Sequence, residues 1–143
     1  MSDVEPIRAL VHSYADAVCR RATDQWAGNW TDDAVWDIGG GRQQGRDQVV
    51  GSWVAAMQGM RAVVHMVLNG TATLDTDTGT GRWYFQEHAV PEGSSPVLLL
   101  AYYDDEYRRE PDGWRFSSRL MTLLYLGAPD LSGHFAGPPP EPS

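Results

Sequence analysis

Apolar residues recur at Ile7, Leu10, Val11, Tyr14 and Val18, the spacing of one helix face, and Pro6 suits its first turn. A second short helix is predicted over 24–30, with Thr23 as its cap. The period then changes, and DDAVWDIGGGRQQG reads as two short strands around a glycine turn. Helical spacing returns in RDQVVGSWVAAMQGM, where Val49, Val50, Trp53, Val54 and Met57 share a side. From Ala62 onward the pattern is that of strands, predicted over 62–75, 80–90, 97–109 and 113–126. The connecting segments DTDTG, PEGSS and EPDG are all rich in turn formers.

Long consecutive strands with short links make an antiparallel meander. Three helices followed by such a meander define an α+β chain, in which a curved antiparallel sheet wraps on the N-terminal helices. The last strand, GWRFSSRLMTLLYL, alternates apolar residues on both faces, so both faces must be covered. One face can meet the helices. The other is expected to meet a second copy, giving a homodimer or homotrimer. Residues 1–130 form the predicted domain, and the Gly/Pro-rich stretch 131–143 is an extended tail.

Composition narrows the function classes. At 143 residues and 42% hydrophobic, the chain can build one real core. A net charge of −8 argues against nucleic acid, which needs a basic footprint. There is no long apolar run for a membrane span and no apolar leader-like segment in MSDVEPIRAL. A single cysteine, Cys19, fits a reducing cytoplasm. No CxxC or HExxH occurs, so neither a metal nor a cofactor is expected. Six tryptophans and six tyrosines in so short a chain suit a cavity wall as well as a core.

The stretches IRALVHSYADAV, WTDDAVWDIGGGRQQGRDQVV, VVHMVLNGTATLD and YYDDEYRREPDGWRFSSR occur in the order and spacing of one superfamily. On these the chain resembles the SnoaL-like branch of the nuclear-transport-factor-2-like (NTF2-like) superfamily. That group holds scytalone dehydratase, bile acid 7α-dehydratase, hexachlorocyclohexane dehydrochlorinase, isomerases, polyketide cyclases and non-catalytic members. The resemblance implies a conical α+β barrel with a deep apolar pocket for a small apolar molecule. It also implies a lyase or isomerase, with dehydration foremost, or a binding protein that has kept the pocket and lost catalysis.

What the resemblance implies for the site is more specific. His65 matches the strand histidine that acts as base, with Asn69 four residues on, and Arg119 matches an arginine that stabilises a departing anion. Tyr14 falls on an often aromatic position of the first helix and could donate to a substrate oxygen. The aspartate that orients the histidine in relatives falls on Cys19, and Asp24 is the nearest carboxylate. Without that acid, a histidine base loses tautomer control and support for its imidazolium. Arg119 could instead pair with Asp104 or Glu106 across strands. Cys19 could be a small packed hydrophobe or a thiol bonded to His65. Besides Cys19 and Asn69, the expected pocket walls are Trp26, Trp30, Trp36, Trp53, Met57, Met121 and Tyr125.

Overall fold

The computed structural model describes residues 3–142. Helix α1 (Glu5–Arg20) has Pro6 in its first turn and ends where Arg21 adopts the left-handed conformation, φ 54°. Its buried stripe, Ile7, Leu10, Val11, Tyr14 and Val18, is the one the periodicity predicts. The Arg21 side chain donates to the carbonyls of Met57 at 2.8 Å and Met60 at 2.7 Å, tying the end of α1 to the next helix and strand.

The second helix, α2 (Thr23–Ala27), is shorter than predicted, and Thr23 lies inside it rather than capping it. Asn29 and Trp30 are drawn into the sheet instead: the Phe116 N–H donates to the Asn29 carbonyl, and Trp30 begins β1 (Trp30–Asp37). A glycine turn leads to β2 (Arg42–Gln44), then to α3 (Arg46–Gln58). The meander follows as β3 (Met60–Leu74), β4 (Thr78–Pro91), β5 (Val97–Glu110) and β6 (Gly113–Gly127). Each lies within three residues of the strand predicted from alternation. In the C-terminal segment a two-residue strand, β7 (His134–Phe135), pairs with β6, and the Pro140 carbonyl accepts a bond from Arg82.

The sheet runs β2-β1-β6-β5-β4-β3, with β7 on the far end of β6. All pairings are antiparallel except β1 with β6. The sheet does not close, so the architecture is an open cone rather than a sealed barrel. Helix α1 packs across β3 and β6, and α3 packs over β1 and β2. Between them lies an aromatic core. Trp26 stacks on Trp53 at 4.6 Å and meets Trp30 and Trp36, each at 5.3 Å.

One irregularity in β3 matters for the site. Its register with β4 shifts between Val67 and Gly70. Gly70 lies flat under the Trp83 ring: a Cβ there would overlap that ring and approach the Arg82 carbonyl to 2.7 Å. The substitution Gly70→Ala is expected to destabilise the protein by about 1–3 kcal/mol through overpacking. Urea denaturation of the two proteins checks this.

Candidate active site

Strand alternation places Phe85, Glu87 and Ala89 of β4 on the helix-facing side, opposite the exposed His88. In the ladder, His65 pairs directly with Glu87. Their side chains meet: His65 Nδ1 lies 2.9 Å from Glu87 Oε1. The imidazole is enclosed, stacked on Phe85 at 4.5 Å and edge-on to Tyr14 at 5.6 Å, with only 3% of its side chain exposed. The carboxylate beside His65 thus comes from the neighbouring strand and not from α1.

Next to this pair the Tyr14 and Tyr103 hydroxyls lie 3.0 Å apart, and Trp36 Nε1–H donates to the Tyr103 oxygen at 3.3 Å. Burial pushes both phenols above the ordinary tyrosine value. They therefore stay protonated, and since one hydroxyl donates to the other, one O–H at a time is free to donate into the cavity. Behind them sits Arg119, fully buried and stacked against the rings of Tyr103 at 4.0 Å, Phe116 at 4.1 Å and Tyr14 at 4.5 Å. Its guanidinium donates to both oxygens of Asp105, at 2.7 Å and 3.1 Å. Burial is the largest single influence on the Arg119 pKa and acts to lower it, but the charge and hydrogen bonds of Asp105, with Tyr14 and Tyr103, together outweigh it and hold the group above its ordinary value. Tyr107 O–H donates to the same carboxylate and accepts from Trp83 Nε1–H.

A largely apolar, partly open cavity of about 190 Å³ lies beside these groups. Tyr14, Val18, Trp36, Trp53, Met57, Phe85, Glu87, Tyr103 and Met121 are among its walls. Its polar lining is therefore one carboxylate and two phenols, the kind of sparse polar set that orients a bound small molecule. A larger hollow of about 530 Å³ lies on the opposite sheet face beneath the C-terminal segment, among Thr71, Arg82, Asp104 and Glu141. Its lining mixes polar and apolar groups, and its buried donor, the Arg82 guanidinium, is already engaged by Asp104 and the Pro140 carbonyl.

Several predicted residues stand elsewhere. Tyr14, Trp36, Trp53, Met57 and Met121 do line the cavity, whereas Trp26 and Trp30 are one layer deeper in the core. Asn69 is exposed, because the register shift after Val67 breaks the alternation that put it on the inner face. Tyr125 is buried at the other end of β6, bonded to Ala128 and Gly133 of the C-terminal segment. Asp24 is exposed on α2 and makes no contact with His65. Cys19 is exposed; its Sγ lies 3.3 Å from both the N and the O of His65, so the thiol touches the main chain and not the ring. Arg119 pairs with Asp105 rather than Asp104 or Glu106, and it backs the cavity wall without lining it.

Glu87, Tyr103 and Phe85 escaped the sequence reading. The available signal was an acid in the inner stripe Trp83, Phe85, Glu87, Ala89, and a tyrosine two residues before Asp105. Among the described residues, no cluster of three or more His, Cys, Asp or Glu side chains could hold a metal ion. No helix among them is long and apolar enough to cross a membrane.

An open α+β cone with an acid, a histidine and two phenols around an apolar cavity defines a pocket protein of the NTF2-like fold. The chain belongs to the SnoaL-like domain family, which it matches over residues 1–120. It is 31% identical to gamma-hexachlorocyclohexane dehydrochlorinase of Sphingobium indicum, over 96% of this chain and 94% of that protein. It is also 31% identical to an uncharacterized protein of Mycobacterium tuberculosis, over 87% of this chain and 88% of the other. A solved structure of a type 2 hexachlorocyclohexane dehydrochlorinase superposes with a TM-score of 0.80 at 25% identity, covering 94% and 93% of the two chains.

The Arg119–Asp105 pair allows a direct test of what supports the site. Asp105→Ala leaves a buried, unpaired guanidinium and is expected to cost about 3–5 kcal/mol. The double variant Asp105→Ala, Arg119→Met is expected to recover part of that loss. A double-mutant cycle by chemical denaturation measures both.

Proposed function

We propose that this protein is a lyase or isomerase needing no cofactor, with dehydration of a small, mainly apolar molecule as the foremost reaction. The family and its dehydrochlorinase relative support that reaction class. The observation that carries the reading is the half-buried His65–Glu87 pair beside two protonated phenols on an apolar cavity. A cavity of 190 Å³ suits one six-membered ring with small substituents, since an engineered cavity of about 150 Å³ admits benzene.

The mechanism follows from the placement of charge. A substrate carbonyl or leaving oxygen sits against the Tyr14 and Tyr103 hydroxyls, which stabilise negative charge as it develops. The His65–Glu87 pair takes a proton from the adjacent carbon. In a β-hydroxyketone the hydroxyl then departs with that proton as water, leaving an enone. Arg119 lies beneath both phenols and adds positive potential without touching the substrate.

A suitable probe is 3-hydroxycyclohexanone, whose conversion to cyclohexenone is followed by ultraviolet absorbance. His65→Phe and the double variant Tyr14→Phe, Tyr103→Phe are each expected to lower the rate by about 10²-fold or more. Unchanged turnover in His65→Phe would sink the mechanism.

A second reading is a ligand-binding protein that has lost catalysis, and Cys19 at the position of the relatives' helix aspartate favours it. The variant Cys19→Asp separates the two. Dehydration seen only in that variant supports the binding protein; dehydration in the native chain that survives the change supports the enzyme.

We also propose that the chain self-associates as a homodimer or homotrimer through the outer sheet face. Val64, Met66 and Leu68 are 46%, 38% and 51% exposed along edge strand β3, and Leu120 and Leu126 are exposed on β6. Light scattering is expected to give two or three times the chain mass, falling to one in Val64→Asp, Met66→Lys.

A further inference from the structure

We propose that Glu87, not His65, is the group that takes the substrate proton, and that His65 is a positioning residue behind it. This rests on the reaction class proposed above and reverses the division of labour expected when an orienting acid comes from the first helix.

The geometry separates the two partners. Glu87 lines the cavity, and 21% of its side chain is exposed against 3% for His65. His65 does not line it. Its ring is clamped between Phe85 and Tyr14, which leaves little room for a carbon acid to reach either nitrogen. The 2.9 Å contact consumes Nδ1 and Oε1, so the carboxylate meets the cavity with its second oxygen, Oε2, which has no hydrogen-bond partner among the described residues. Two phenols, Tyr14 and Tyr103, share the same cavity with that oxygen. Base and oxyanion donors thus face one ligand, and the imidazole fixes the rotamer of the base from behind. In this arrangement Nδ1–H donates to Oε1, the substrate C–H bond breaks, and its proton is held on Oε2 until the departing hydroxyl takes it as water. The carboxylate is then ionised again and the pair is unchanged.

The assignment makes a conservative variant informative. Asparagine at position 65 can present a neutral N–H close to where Nδ1 stands, yet it cannot act as a base. With 3-hydroxycyclohexanone, Glu87→Gln is expected to lose about 10²–10⁴-fold in kcat. His65→Phe, which removes the donor, is expected to lose about 10²-fold through misplacement of the carboxylate, and His65→Asn to return to within about tenfold of the native rate. Thermal melts of all three confirm that they fold. If His65→Asn is as inactive as Glu87→Gln, the assignment is overturned while the dehydratase reading stands.

A second arm needs no turnover. Cyclohexene oxide, a single-ring epoxide, is incubated with the Cys19→Ser variant, which removes the exposed thiol as a competitor. Attack by the Glu87 carboxylate on an epoxide carbon opens the C–O bond, and the released oxygen takes a proton, leaving a hydroxycyclohexyl ester. Peptide mass spectrometry is expected to find that ester on Glu87. Modification of His65, or of neither residue, overturns the proposal. If the native chain fails to dehydrate the probe but Glu87 takes the label, the reaction class fails and the assignment of the cavity-facing base holds.

Discussion

Arg119 and Asp105 form a fully buried ion pair between directly paired residues of adjacent strands, and the inner wall of the cavity is stacked upon it. Neither charge is tolerable alone in such an interior. The guanidinium can stay there because Asp105 accepts two of its N–H groups and aromatic faces cover it. Asp105 in turn receives a third donor from Tyr107, whose oxygen is held by Trp83. The rings that shield the cation, Tyr14 and Tyr103, are the two that present hydroxyls to the cavity. Charge satisfaction and site construction are therefore one arrangement, and it links α1, β4, β5 and β6.

The same network reaches the histidine through backbone register. Trp83 packs over Gly70, where no side chain interposes, and the shift in β3 ends at that residue. Counted back from the Leu74–Gly79 pair, an unbroken ladder would set His65 opposite His88, on the residue after Glu87. The shift moves the partner by one position, and in a strand one position exchanges the two faces. His65 then faces an acid beside the cavity instead of an outward imidazole.

This explains what could and could not be read from the chain. The helix stripe from Ile7 to Val18 and the four long strands follow from local periodicity, which the tertiary structure obeys. His65 on the inner face follows from strand alternation, and Tyr14, Trp53 and Met57 reach the cavity from the apolar faces of α1 and α3. The Asp105–Arg119 pairing, the His65–Glu87 contact and the exposure of Asn69 depend on which residue faces which across strands. A bulge sets that register between β3 and β4, its local sign being the glycine after Asn69, and separate shifts set it between β5 and β6. Cys19 was misplaced for a rotational reason: at its position on α1 the side chain points along β3 to the main chain of His65, not into the cone. Adjacency in a family's fold does not guarantee that a substituted residue points the same way.

Where the acid comes from has consequences for the chemistry. A carboxylate on α1 would reach the histidine from the side of the helices, leaving the imidazole between acid and substrate. A carboxylate on β4 approaches from within the sheet, at the ladder position opposite the histidine, and shares the cavity with the ligand. Position along the relay, more than residue type, decides which of the two groups meets a carbon-bound proton. Cys19, with its thiol bonded to the main chain of His65, holds a helix position that the proposed assignment does not use. In that assignment the histidine serves its strand partner, whose carboxylate meets Nδ1 at 2.9 Å, and the Phe85 and Tyr14 rings beside the imidazole hold that contact in one geometry.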